Sequence, residues 1–209
     1  MAVSRKSRPA GGFVWVLGSR SCSESFRLAV HRVVSRCVAD GLGIAAGGAV
    51  GPDSWALESL LACLPSAPAA VRHSSLVVLA WQLVAGCPVA ARPSVSAAVS
   101  AGVPVRFGSA LPGCTRQQAA GALFGRSRLI GTSGRLTAAV AFVGDSVGRG
   151  TFFSLGLCAR RVPVFVFASS LSVLPSLGQG CWHAAKLAGF HCYRWSPASC
   201  PLFRGGEQS

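Results

Sequence analysis

The segment LGIAAGGAVGPDSWALE, residues 42–58, runs a short apolar strand straight into a glycine turn and then into the start of an amphipathic helix. Gly47, Gly48 and Gly51 suit positive φ and leave room for a ligand to touch the backbone. Asp53 or Ser54 is placed to cap the following helix, because a short oxygen-bearing side chain accepts from the free N–H groups of a first turn. A helix start of this kind attracts anions. The spacing is not G-x-G-x-x-G and no Lys closes the turn, so the ordinary dinucleotide and P-loop fingerprints are not met. A plain structural turn fits the same letters.

Upstream, residues 13–17 form a continuous apolar strand, and Ser21 with Glu24 reads as a capping box for a helix over 23–40. Phe26, Val30, Val33, Val34, Cys37 and Val38 share one helical face, Arg27, His31, Arg32 and Arg36 take much of the other, and Gly41 is the stop. Downstream, Leu57, Leu60, Leu61 and Leu64 line the apolar side of the second helix as far as Pro65. Strand-like runs recur at 76–80, 103–107, 138–143 and 162–168, between helix-like stretches at 94–101, 116–130 and 151–160.

Alternating strands and helices predict an α/β chain with a Rossmann-like, doubly wound, mostly parallel sheet in three α/β/α layers. The expected domain covers residues 13–170, after a basic flexible tail at 1–12. Residues 171–209 are weakly patterned, and Trp182, Lys186, Phe190, His191, Tyr193 and Trp195 suggest a small helix and a last strand packed on the domain, with a loose end. Right-handed crossovers put the loops after the strands along one edge, where doubly wound folds bind ligands. Three of those loops, at 18–23, 47–54 and 144–151, are rich in glycine and serine. Gly18, Ser19 and Arg20 make a plausible anion pocket at the head of the first helix, and GDSVGRGT adds Gly148, Gly150 and the Thr151 hydroxyl.

Twenty Lys and Arg against six Asp and Glu give a formal charge of +14 in 209 residues. Small neutral metabolites as the sole partners do not account for that charge, and nucleic acid or polyphosphate is the first suspicion. Eighteen of the twenty cations are Arg, whose planar fork suits phosphate and base edges. Arg, Ala, Gly and Val also accumulate through GC-rich coding, so the sign of the charge carries more weight than the Arg identity. Nine Cys without a C-x-x-C pair fit neither a zinc ribbon nor a regular disulfide framework, so reduced thiols in the cytoplasm are expected. Cys181, His183, His191, Cys192 and Cys200 are metal-capable types, but their spacing matches no ligand pattern. The basic opening is followed only by a short apolar strand, not by a signal peptide's apolar core. The run at 76–91 is interrupted by Gln82 and Pro88 and falls short of the roughly 20 residues that span a bilayer.

Taken in order, VLGSR, GGAVGPDSWALE, FGRSRLIGTSG and GDSVGRGTFFSLGLCARRVPVFVFA resemble the blocks of the SMF/DprA–LOG (SLOG) Rossmann-like superfamily, nearest its DprA, DNA-processing, branch. The resemblance covers about residues 13–168. Its third block is an Arg-Asn-Arg-Ile-Ile type run in that branch, and Arg126, Ser127, Arg128, Leu129 and Ile130 stand in those places with the middle Asn replaced. The resemblance implies binding of single-stranded DNA or of nucleotides, or, in the LOG branch, cleavage of a nucleoside-monophosphate glycosidic bond. That cleavage needs a Glu on the helix after the fourth glycine loop, and residues 151–160 contain no carboxylate.

The expected function is therefore non-catalytic binding of phosphate-bearing ligands, single-stranded nucleic acid first, without a cofactor, a metal or a membrane, and with room for a homodimer. The expected ligand-binding set is Gly18, Ser19, Arg20, Gly47, Gly48, Gly51, Asp53, Arg126, Arg128, Gly148, Gly150 and Thr151. Alternatives are a free-nucleotide sensor, a nucleoside-processing enzyme using Asp53, Glu58 or Asp145, and a partner-binding protein with a degenerate pocket. Arg126 and Arg128 lie two apart and cannot share a helical face. Asp53 suits a helix cap or a sugar hydroxyl, Glu58 an ion pair with a loop Arg, and the helix face at Arg27 to Arg36 either solvent or nucleic acid. Trp15, Trp55 and Trp81 read as core before base-stacking platforms.

Overall fold

The structure is a computed structural model that describes residues 11–111 and 113–198. Residues 1–10 of the expected basic tail, and the end of the chain with Cys200, lie outside the described residues. The strands are β1 (Phe13–Gly18), β2 (Gly43–Ala46), β3 (Leu76–Val78), β4 (Val105–Arg106), β5 (Leu136–Phe142), β6 (Val164–Phe167), β7 (Gly180–Leu187) and β8 (Phe190–Pro197). The helices are α1 (Arg27–Ala39), α2 (Pro52–Cys63), α3 (Ala69–Ser74), α4 (Arg92–Ser100), α5 (Arg116–Gly131) and α6 (Arg149–Cys158). One eight-stranded sheet runs in the order β4-β3-β2-β1-β5-β6-β8-β7. The first six strands are mutually parallel; β8 continues the sheet antiparallel to β6, and β7 lies at the edge antiparallel to β8.

The central strand β1 explains the layering. Its side chains alternate between faces. Val14 and Val16 join a core with Val30, Val33 and Val34 of α1 and Leu57 and Leu60 of α2. Phe13, Trp15 and Leu17 join a second core with Ile130 of α5 and Leu155 and Cys158 of α6. All of these are buried, and burying both faces is why β1 reads as an unbroken apolar run rather than an alternating one. The expected three-layer, doubly wound α/β architecture is the observed one.

Local details correct the sequence reading. The first helical segment is capped by Ser23, whose side chain accepts from Ser25 N–H, and not by Ser21. The box signature that does form lies at Thr115 and Gln118, whose side chains satisfy each other's backbone N–H groups at the start of α5. Neither Asp53 nor Ser54 caps α2, because Pro52 already opens the helix and Gly51 stands at its N-cap. Among the described residues, the extension after residue 171 supplies no α-helix. A short 3-10 turn at Leu171–Val173 leads into the β7–β8 hairpin. Most side chains of β7 are exposed on both faces, so no period-two pattern marked it in the sequence. Among the described residues no helix is long and apolar enough to cross a membrane.

The strand order reverses at β1: from β1 the chain goes one way to β2, β3 and β4, returns through α5 to β5, and then goes the other way to β6. Crossovers on opposite faces open a crevice at the carboxyl ends of β1 and β5. Gly18 closes its floor. A Cβ at Gly18 would collide with the Phe142 carbonyl and with Pro52. Gly18→Ala is expected to lower stability by about 1–3 kcal/mol, the usual cost of forcing extra volume into a packed site; chemical denaturation of the two proteins measures it.

Candidate functional site

A cavity of about 380 Å³ sits in that crevice. The loop after β1 contributes Gly18, Ser19 and Arg20, the head of α2 contributes Asp53, α5 contributes Leu123, Phe124, Arg126 and Ser127, and the start of α6 contributes Gly148, Gly150, Thr151 and Ser154. Trp15 and Leu17 supply apolar wall from β1. Of the expected ligand-binding set, Gly18, Ser19, Arg20, Asp53, Arg126, Gly148, Gly150 and Thr151 are brought together here.

Four expected residues stand apart from the lining. Gly47 lies just behind it. Gly48 takes φ +67° and packs so closely on Leu79 that a side chain would collide, and Gly51 takes φ +89° beside the Ser19 carbonyl. Arg128 is exposed, with its guanidinium 5.8 Å from the centre of the Phe153 ring. Both guanidinium groups sit on α5, and their spacing sends Arg126 inward and Arg128 outward, as helical periodicity requires.

The inner wall is built around the backbone of one residue, Gly47. Gly47 N–H donates to Asp53 Oδ1 at 2.6 Å, and Arg126 Nη1 donates to the Gly47 carbonyl at 2.8 Å. A Cβ at Gly47 would lie 2.5 Å from Arg126 and 2.7 Å from Asp53. Gly47 is therefore needed for space; of the three glycines in this turn, only Gly48 and Gly51 use positive φ.

Asp53 is fully buried, and burial pushes its carboxyl above the ordinary value despite the opposing pull of Arg126, the Gly47 N–H and Arg20. Burial likewise lowers Arg126, with Asp53 acting to restore its charge. Arg126 Nε is buried and has no hydrogen-bond partner among the described residues.

The floor holds a pair that sequence reasoning missed. Ser154 Oγ donates to Ser127 Oγ at 3.0 Å and also lies 2.9 Å from the Gly150 carbonyl. Ser154 stands three residues after Thr151 and four after Gly150 on α6, and Ser127 directly follows Arg126; those positions were the signal that could have found them. Gly148 is the N-cap of α6 and makes no side-chain cap, so the first N–H groups of that ten-residue helix begin at the cavity.

The other acids are elsewhere. Glu58 is exposed and pairs with Arg27 of α1 at 2.7 Å, a helical partner rather than the expected loop Arg. Arg36 pairs with Asp40 at 3.2 Å. Asp145 is exposed and does not line the cavity. Trp15 and Trp55 are buried, and Trp81 is half-buried. Among the described residues no three His, Cys, Asp or Glu side chains are grouped to hold a metal ion. Cys181 and His183 lie side by side on β7, with Sγ 3.1 Å from Nε2, while His191 and Cys192 face other β7 residues across the hairpin.

Removing Asp53 leaves Arg126 as an uncompensated buried charge, and Asp53→Ala is expected to cost about 3–5 kcal/mol in denaturant unfolding. Asp53→Asn, which keeps an acceptor for Gly47 N–H, is expected to cost less. Because the carboxyl is raised in the folded state, Asp53 favours the fold most below its ordinary value of 3.8 and gives up that advantage as pH rises through the raised value. The stability of wild type minus that of Asp53→Asn is expected to grow as pH falls through the raised value and to level off below pH 3.8; urea titrations along that descent measure the slope.

No family model and no curated protein matches the chain. Solved structures do resemble it. DNA processing protein A from Helicobacter pylori, described for its single-stranded DNA binding mode, superposes with a TM-score of 0.56 at 16% identity, over 74% of this chain and 65% of that one. DNA processing protein A (DprA) from Streptococcus pneumoniae gives a TM-score of 0.52 at 18% identity, over 76% of this chain and 51% of its own. The chain thus spans less than two thirds of either protein. Its fold is DprA-like and Rossmann-like.

Proposed function

We propose that this chain binds phosphate-bearing ligands in the switch-point cavity, single-stranded nucleic acid foremost, and catalyses no reaction there. The observation that carries the reading is the convergence of two guanidinium groups, Arg20 and Arg126, with the N-terminus of α6 on one cavity. A helix start and Arg forks both favour phosphate oxygens. The buried Nε of Arg126 is a donor that such an oxygen would satisfy. The net charge of +14 favours a polyanion over a single small anion, and the single-stranded DNA binding described for the H. pylori protein, whose fold this chain shares, adds to that support.

The acid content of the site argues against bond cleavage. Glycoside hydrolysis uses two carboxyl groups across the scissile bond. Asp53 is the one carboxylate among the cavity-lining residues, and it is engaged with Gly47 N–H. Glu58, half of an exposed ion pair with Arg27, is not available for that role.

Anisotropy titrations of a labelled single-stranded oligonucleotide test the reading. Affinity is expected to fall steeply between about 50 and 200 mM salt, because each neutralised phosphate releases counterions with a slope of about −0.7 in log K against log salt. Arg20→Ala, at an exposed position, is expected to weaken binding and to reduce that slope by about 0.7. Absence of binding at low salt, or binding without a salt slope, defeats the proposal.

A second reading rests on the size of the cavity, about 380 Å³, which falls in the range of small-molecule sites. A free nucleotide as the natural ligand would give saturable thermal stabilisation that persists at moderate salt, and one particular nucleotide would give more of it than an oligonucleotide.

A further inference from the structure

The outer surface of α5 and α6 carries exposed aromatic rings. The face of α6 turned to the sheet consists of Thr151, Ser154, Leu155 and Cys158. Phe152 points away from it and is 43% exposed, and Phe124 of α5 is 38% exposed although it also borders the cavity. Phe124 and Phe153 meet edge to face, with ring centroids 4.7 Å apart and planes at 72°. The Arg128 guanidinium lies 5.8 Å from the Phe153 centroid. Core packing does not account for aromatic rings kept this open to water.

Two further facts say what covers them. The charged residues of α5 and α6 are four Arg and no acid. On α1, by contrast, Arg27 and Arg36 are both paired with carboxylates. A second copy of this surface would bring like charges together, whereas a polyanion is complementary to it. Gly121 and Gly125, on the same exposed stripe of α5 as Phe124 and Arg128, have no atom within 4 Å of where a Cβ would stand. That leaves space for another backbone to come close to the helix. The exposed Phe124 ring and the half-exposed Phe153 ring, beside Arg128, which has no ion pair among the described residues, are continuous with a phosphate-favouring cavity and are the components of a surface that stacks bases while it tracks phosphates.

We propose that Phe124 and Phe153, backed by Arg128, form a base-stacking platform at the mouth of the cavity. A single strand held at Arg20 and Arg126 continues onto α5 and α6, with successive bases on the rings and a flanking phosphate on Arg128. The inference rests on the nucleic-acid reading of the cavity and adds to it a second stretch of contact that reads the π-faces of bases.

The test compares an oligothymidine of about twelve nucleotides, within the span of strand that single-strand-binding folds cover, with an abasic strand of equal length and phosphate count. Wild type is expected to bind oligothymidine about tenfold more tightly than the abasic strand, in the range measured for stacking of single bases. Phe124→Ala is expected to lower affinity for oligothymidine far more than for the abasic strand, removing most of that preference, and to leave the salt slope unchanged because the ring carries no charge. Phe124→Trp keeps a ring at the site and is expected to restore the preference. Arg128→Ala is expected to weaken both strands alike and to reduce the slope by about 0.7.

Equal affinity of wild type for the two strands overturns the platform and leaves the cavity reading standing, as does an equal loss on both strands in Phe124→Ala. If sedimentation shows a wild-type oligomer that Phe124→Ala disperses while base preference is unchanged, the surface belongs to a second copy of the chain and the platform is likewise overturned. Failure of wild type to bind either strand at low salt removes the cavity reading as well.

Discussion

The backbone of Gly47 is gripped from two layers of the molecule at once. Asp53, on the helix that packs against one face of the sheet, accepts its N–H, and Arg126, on the helix that packs against the other face, donates to its carbonyl. Both side chains are buried ions, and each alone would cost several kcal/mol of desolvation. Together, and hydrogen-bonded through one backbone unit, they offset enough of that cost to persist. The grip fixes where α2 and α5 stand relative to the end of β2, and with them the inner wall of the cavity. It also explains the glycine, since any side chain at position 47 would sit where the guanidinium and carboxylate must be.

The cavity depends on this wall and on topology together. Reversal of the strand order at β1 separates the loops after β1 and β5, and α5 must recross the sheet from β4 to reach β5. That crossing carries Leu123, Phe124, Arg126 and Ser127 over the crevice. The start of α6 closes the other side with Gly148, Gly150 and Thr151. Polar groups therefore converge from four separate parts of the chain onto a site with an apolar wall at Trp15 and Leu17. Such a site weakens water's screening and strengthens any charge held within it.

The distribution of charge separates two kinds of arginine that look alike in composition. Arg27 and Arg36 on α1 are spent on Glu58 and Asp40 in exposed pairs, which add little to stability. On α5, Arg126 lines the cavity and Arg128 lies beside the Phe153 ring, with no acid on that helix. The excess of positive charge thus has a local expression next to the site, where it would steer an anionic ligand.

The sequence by itself determined the layers and most of the elements. Apolar runs such as Phe13 to Leu17 and one-sided periodicity such as Val30, Val33, Val34 and Val38 report burial through short-range geometry, so strands, helices and their alternation could be read directly, and the glycine-rich loops could be assigned to one edge. Some elements escaped it: α3 is only Ala69–Ser74 and β7 lacks a buried face, while β4, expected over 103–107, forms only at Val105–Arg106. Ser21, Asp53 and Ser54 were plausible caps by type, but neighbouring geometry gave the cap to Ser23 in one case and displaced Asp53 into a tertiary contact in the other. Only the tertiary structure decided that Arg126 turns inward and Arg128 outward, that Glu58 is spent on α1, and that Ser127 meets Ser154. The physical reason is separation along the chain. Gly47 and Arg126 are 79 residues apart, and no local preference of either segment encodes a contact that exists only after the sheet has formed and α5 has crossed it.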